Sequence, residues 1–122
     1  IFSSPEIELG RHVYIGAYCV LGDVRIGDGV RIASGVSIPS GGRQHLDQVT
    51  TGDSDPGTPQ SPNQYQRITI GEKTWIGERA VVLADVGARA IVGAGAVVTS
   101  PVPENCVVAG VPARVIRQLP VT

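Results

Sequence analysis

Few residues of this 122-residue chain could do chemistry: two histidines, His12 and His45, two cysteines, Cys19 and Cys106, one tryptophan, Trp75, and a late pair of arginines, Arg114 and Arg117. Imidazole is the side chain whose ordinary pKa lets it take and return a proton near neutral pH, so the histidines come first. His45 stands behind the flexible run Ser40-Gly41-Gly42 and is followed by Asp47, a carboxylate able to orient the ring by hydrogen bonding. A loop histidine taken alone is most often an ordinary polar residue. His12 precedes Val13, which points inward, so it reads as a solvated imidazole facing out from a strand. The cysteines have no CxxC or CxxH partner, which leaves neither a metal knuckle nor a disulfide framework. They fall two residues before Leu21 and Val108, in the inward phase, and read as small buried thiols rather than nucleophiles.

The elements that would position these residues follow a repeat of six. Leu9, Ile15 and Leu21 are six apart, and Ile26, Ile32 and Ile38 resume the step after one missing residue. A second block places Ile70, Ile76 and Val82 at the same step, loses two residues at a corner, and continues with Val86, Val92 and Val98. Two residues before each of these twelve positions sits a small or β-branched residue, or Ile, from Ile7 and Val13 to Ala90 and Ala96. Three-residue alternation of this kind is strand-like, with both apolar residues on one side. Gly follows the apolar residue in eight of the twelve repeats, which suggests a positive φ at a sharp corner. Short strand and corner, three times round, predict a triangular coil of eighteen residues, with successive coils ~4.8 Å apart. A β-sandwich would space its turns by ~8–12 residues and fits poorly.

Composition agrees. Sixteen Gly and nine Pro beside one Trp, one Phe, three Tyr and no Met leave a core of Val, Ile, Leu and Ala, while 42% apolar content is too high for a disordered chain. The length suits one domain. A net charge of −1 without a basic run gives no footprint for nucleic acid. No stretch reaches the ~18 apolar residues of a membrane span and no signal-peptide pattern opens the chain, so a cytoplasmic protein without membrane insertion is expected. The chain opens at Ile1, which leaves open a segment before it.

Between Ile38 and Ile68 the repeat stops at PSGGRQHLDQVTTGDSDPGTPQSPNQYQR, residues 39–67, whose Gly, Pro, Ser, Asp and Gln are loop chemistry. A loop this long in a compact domain is usually functional or disordered. If Ile70 restarts the stack above Ile26, the loop stands out from the prism, with His45 just after it departs. The expected layout is thus coils over about 7–38 and 68–99, a loop over 39–67 and a tail over 100–122.

At these hexapeptides, and in TWIGE (74–78), VGAGAVVT (92–99) and AGVPARVIR (109–117), the sequence resembles the hexapeptide-repeat acetyltransferases, in particular sugar and polysaccharide O-acetyltransferases. The resemblance implies an all-β fold, the left-handed parallel β-helix, and a homotrimer. It implies transfer of an acetyl group from acetyl-CoA to a sugar hydroxyl by a direct ternary mechanism, with His45 as general base and no metal. By the same resemblance Trp75 lines the acceptor end with Asp47 nearby, and the backbone N–H of Glu78 faces the thioester oxygen. Ala94, Ala96 and Thr99 match positions that bond the pantetheine arm, although Ser100 stands where a basic residue often follows. Arg114 and Arg117 match residues that hold the 3′-phosphate, as charge-assisted bonds can. An amine or serine acceptor stays open. A γ-class carbonic anhydrase would need three zinc-ligating histidines where one chain has two. A non-catalytic β-helix scaffold is the rival reading, and the loop with His45 and the arginine tail are what it does not explain.

Overall fold

The computed structural model describes residues 6–39 and 67–121, and every regular element among them is a β-strand. The strands follow the chain around a triangle. The first coil holds β1 (Ile7–Leu9), β2 (Tyr14–Ile15) and β3 (Val20–Leu21); the second holds β4 (Val24–Ile26), β5 (Arg31–Ile32) and β6 (Ser37–Ile38). After residues 40–66 the third coil holds β7 (Ile68–Ile70), β8 (Trp75–Ile76) and β9 (Val81–Val82). In the fourth, the first side is reduced to a bridge at Val86, followed by β10 (Ile91–Val92) and β11 (Val97–Val98). The first sheet has the order β1-β4-β7 and the third β11-β9-β6-β3, with parallel pairing throughout. Ile70 pairs in register with Ile26, so the chain re-enters one coil above the point it left. The fold is the left-handed parallel β-helix.

Stacking runs on beyond residue 99, where a tail was expected. Val102 bridges to Val86, and β12 (Cys106–Ala109) adds in parallel to β10. Only then does the chain reverse, as β13 (Arg114–Gln118) pairs antiparallel with β12 and completes a second sheet of order β13-β12-β10-β8-β5-β2.

Coil length also departs from eighteen. In-register partners are 17 residues apart in the lower coils, as Ile7 and Val24 are, and 16 apart above, as Ile91 and Val107 are. The loss falls on one edge of the prism. From the first sheet to the second, and from the second to the third, the step between equivalent inward residues is always six. From third to first it is five between Leu21 and Ile26 and four between Val82 and Val86; the segment 40–66 is inserted at this same edge.

The inward pairs close the core. Val24, Ile26, Val30, Ile32, Val36, Ile38, Ile70, Ile76, Val82, Val92 and Val98 are at most 1% exposed, each burial worth about 1.5–3 kcal/mol before the entropy of ordering is counted. Thr74, the one buried polar residue among the described residues, donates its hydroxyl to Gly87 O at 2.9 Å. The first coil is the exception: Ile7 is 43% and Leu9 54% exposed, because no described coil lies beneath them.

The repeated glycines do not have the positive φ expected of them. That conformation sits two residues later, just before each inward residue, at Gly29, Gly35 and Gly95 and also at His12, Tyr18, Lys73, Arg79, Arg89 and Asn105. His12 is therefore an exposed corner residue rather than a strand residue. The glycine after each apolar residue is needed for another reason. A β-carbon on Gly27 would lie 2.8 Å from Glu72 N, and one on Gly77 2.7 Å from Ala94 N, so the next coil could not descend to pairing distance.

Candidate active site

The second sheet and its edge with the third position most of the candidate residues. Along β8, Thr74 and Ile76 are buried, so Trp75 between them projects outward and is 56% exposed. In-register pairing puts Ile91 above it, then Val107, then Arg117. At the adjoining edge, Gly95 N–H donates to Glu78 O at 2.8 Å, which stacks the Ala94 corner on the Glu78 corner. Ala109 follows above Gly93, and Arg114 is the register partner of Ala109. One column thus runs from Trp75 to Arg117, and a neighbouring one through Gly93 and Ala109 ends at Arg114 beside the Glu78–Ala94 corner, with about two to three strand spacings of ~4.8 Å from bottom to top.

The backbone N–H of Glu78 has no acceptor among the described residues. At the same corner of the first coil the equivalent amide, Ala17 N–H, donates to Ser34 Oγ at 3.1 Å, but Ala94 above Glu78 has no side-chain acceptor to offer. The surface above is low: a β-carbon at Gly95 would meet no atom within 4 Å. Arg114 makes only a long bond to Ala113 O, at 3.4 Å, and neither it nor Arg117 pairs with a carboxylate among the described residues. Both stand exposed on β13, so their charge is open to a ligand.

Two expectations do not join this group. Ala96 is wholly buried, its N–H donates to Gly93 O and its carbonyl accepts from Val81 N, so its side chain belongs to the core and its amide is already committed. Thr99 is exposed but follows β11, across the width of the third sheet from the Glu78 edge. His45 and Asp47 lie outside the described residues. No group of three His, Cys, Asp or Glu side chains that could hold a metal occurs among the described residues, and no helix there is long and apolar enough to cross a membrane.

Two residues that sequence reasoning passed over share the outward column of Trp75. Arg31 is its register partner below, and Tyr14 is the partner of Arg31. The signal was present: Tyr14, Arg31 and Trp75 each fill the middle place between two inward residues, in VYI, VRI and TWI. Another is Arg67, which ties the chain to the first coil as it re-enters the helix. Its guanidinium bonds Glu6 and Glu8, at 2.6 Å each, and Arg25 bonds Glu8 at 2.9 Å. The Arg67 hydrogen bond first, then that of Arg25, holds the Glu8 carboxyl below its ordinary range, and the same pairing raises Arg67.

Comparison with known proteins fits this architecture. Residues 6–40 match the bacterial transferase hexapeptide (six repeats) model, and residues 67–100 match the hexapeptide repeat of succinyl-transferase. WbbJ of Escherichia coli K12, named for lipopolysaccharide biosynthesis O-acetyl transfer, is 34% identical over 122 residues, which cover 97% of this chain and 60% of that protein. The chain thus spans about 60% of that relative's length. A maltose O-acetyltransferase from Clostridium difficile 630 superposes with a TM-score of 0.72 at 27% identity, over 94% of this chain and 60% of the other. A Vibrio cholerae hexapeptide-repeat-containing acetyltransferase, VCA0836, solved with acetyl coenzyme A, gives 0.69 at 26%, over 94% and 61%.

Proposed function

Since the chain belongs to the hexapeptide-repeat acetyltransferase family, we propose that it transfers an acetyl group from acetyl-CoA to a hydroxyl of a sugar or of a surface-polysaccharide precursor. The observation that carries this reading is the paired column of the second sheet. Trp75, the amide of Glu78, which has no acceptor among the described residues, the low Ala94–Gly95 corner, and Arg114 and Arg117, which pair with no carboxylate among those residues, lie along the second sheet and its edge with the third. An extended thioester fits such a line: phosphates against the arginines, arm along the low corner, carbonyl oxygen toward the Glu78 N–H. Some relatives support the hydroxyl acceptor, since WbbJ and the Clostridium protein are both named for O-acetyl transfer, while others are named for N-acetyl transfer or for serine.

In this reading His45 takes the acceptor's hydroxyl proton as its oxygen attacks the thioester carbonyl. The Glu78 N–H stabilises the oxyanion that forms. Collapse breaks the carbon–sulfur bond, and the thiolate leaves with the proton that His45 returns. Transfer is direct. Supporting this, Cys106 is buried, which pushes its thiol up, and its sulfur donates to Pro103 O at 3.1 Å, the surroundings of a core thiol rather than of a nucleophile.

The test is acetyl transfer to a panel of sugar and amine acceptors, read as release of free coenzyme A. His45→Ala should lower kcat by roughly 10²–10⁴-fold with donor affinity nearly unchanged, while His12→Ala behaves as the parent. A His45→Ala protein with full transfer overturns the mechanism. A parent that neither binds coenzyme A nor releases it would favour the scaffold.

A further inference from the structure

We propose that Arg31, between Tyr14 and Trp75 on the outward face of the second sheet, is a specificity residue that selects an acceptor sugar carrying an anionic group. This deepens the acetyl-transfer reading and rests on it for the word acceptor; the binding site itself stands on the following geometry.

Strands β2, β5 and β8 pair in parallel and in register, Tyr14 with Arg31 and Arg31 with Trp75. In a parallel sheet, in-register side chains of one face stand about one strand spacing apart, ~4.8 Å. Arg31 lies between buried Val30 and Ile32, and Trp75 between buried Thr74 and Ile76, so both project to solvent with Tyr14, which is 61% exposed. An arginine whose in-register neighbours on both sides are aromatic has π-faces within reach on either side, and its planar N–H fork suits an oxyanion. No carboxylate pairs with Arg31 among the described residues, whereas Arg25 and Arg67 pair with Glu8, and Arg89 with Glu72 and Glu104. The outward column of this sheet runs Tyr14, Arg31, Trp75, Ile91, Val107, Arg117 and contains no acidic residue.

Such a row suits a ligand with an apolar ring face and a negative substituent. The ring lies against Trp75 or Tyr14, and the anion is received by the fork of Arg31, which matches carboxylate and phosphate oxygens two at a time. Its place in the column fits an acceptor. Arg31 lies below Trp75, on the side away from Arg114 and Arg117, so the two cationic ends would take different partners.

Trp75 is the only tryptophan in the chain, and its fluorescence reports directly on this site. The probes are methyl β-D-glucuronide, glucose 6-phosphate and the neutral methyl β-D-glucoside, titrated into the full chain. One charge-assisted contact predicts that at least one anionic probe binds about tenfold or more tightly than the neutral one. Which of the two does so tells a carboxylate acceptor from a phosphorylated one. Arg31→Gln should reduce that probe to the level of the glucoside, and Arg31→Lys should retain part of the preference. The proposal is overturned if the three probes bind alike or not at all, or if Arg31→Gln keeps the discrimination. Should Arg31→Gln fail to fold, added salt replaces it: an anion preference that survives high salt unchanged also overturns the proposal. Calorimetric titration of coenzyme A separates the two readings. Anion selection without coenzyme A binding refutes acetyl transfer and leaves the site, whereas coenzyme A binding without anion selection does the reverse.

Discussion

A β-carbon at Gly27 would meet the backbone of the coil above at Glu72 N, 2.8 Å away, while one at Gly95 would meet nothing, so the two glycines differ in what they permit. Gly95 has φ +71°, a conformation costing other residues about 1–2 kcal/mol, yet Asn105 and five other side chains adopt it at equivalent corners. Gly95→Asn should therefore shift the thermal midpoint by a few degrees at most. Gly27→Ala forces two coils apart and should cost about 1–3 kcal/mol, the scale of overpacking, with a midpoint lower by several degrees. Equal losses in paired melts would refute this division of roles. Sequence alone revealed that glycine had a fixed place in the repeat but not why, because close approach involves a residue 45 positions away, Glu72, that only stacking brings near. The cysteines were legible in part. Cys106 is wholly buried as its phase implied, but Cys19 is only half-buried because the first coil has an open side. At pH 8 a thiol reagent should label Cys19 in the native protein and reach Cys106 only in denaturant; prompt labelling of both would contradict the core assignment.

Strands of two or three residues hold few bonds each, and ladders of charge stitch their outer faces. Glu8 is tied to Arg67 and Arg25 across three coils, and Arg89 spans Glu72 and Glu104 at another edge. Because pairing holds the folded-state pKa of Glu8 below its ordinary 4.5, the tie stabilises the fold above that pH and is lost as pH falls through the depressed value. Melting temperature should decline for the parent as pH drops below about 4.5, and Glu8→Gln should flatten part of that decline. Identical pH profiles would show that the tie contributes nothing measurable. These ladders are not legible in the sequence, since Glu8 and Arg67 are 59 residues apart and meet only once the inserted segment has been spanned. The strands themselves were legible, because alternation of inward residues is local. Of the donor-side candidates, Arg114 and Arg117 are exposed on β13, whereas Ala96 faces inward by its phase, and only likeness to the family suggests it as a ligand contact.

The whole prism is narrow: four to five coils at ~4.8 Å make a body about 20 Å tall. Its sides leave Val20, Val115 and Ile116 between 46% and 64% exposed. A trimer, as the family resemblance implies, would cover such flanks, and sedimentation at micromolar concentration should show three chains together; a monomer would sink that expectation and any site built between subunits. Arg114→Ala or Arg117→Ala should weaken coenzyme A about tenfold or more if each meets a phosphate, and dephospho-coenzyme A should bind mutant and parent alike. A parent indifferent to the 3′-phosphate would overturn that assignment. The three edges of the prism are not equivalent to a molecular engineer. Between Val92 and Val98 one added residue acts as a frameshift, turning the side chains that follow from inside to outside. Between Val82 and Val86 the spacing is already free to change from coil to coil. A foreign peptide spliced there should leave every sheet in phase, making that edge a natural graft site.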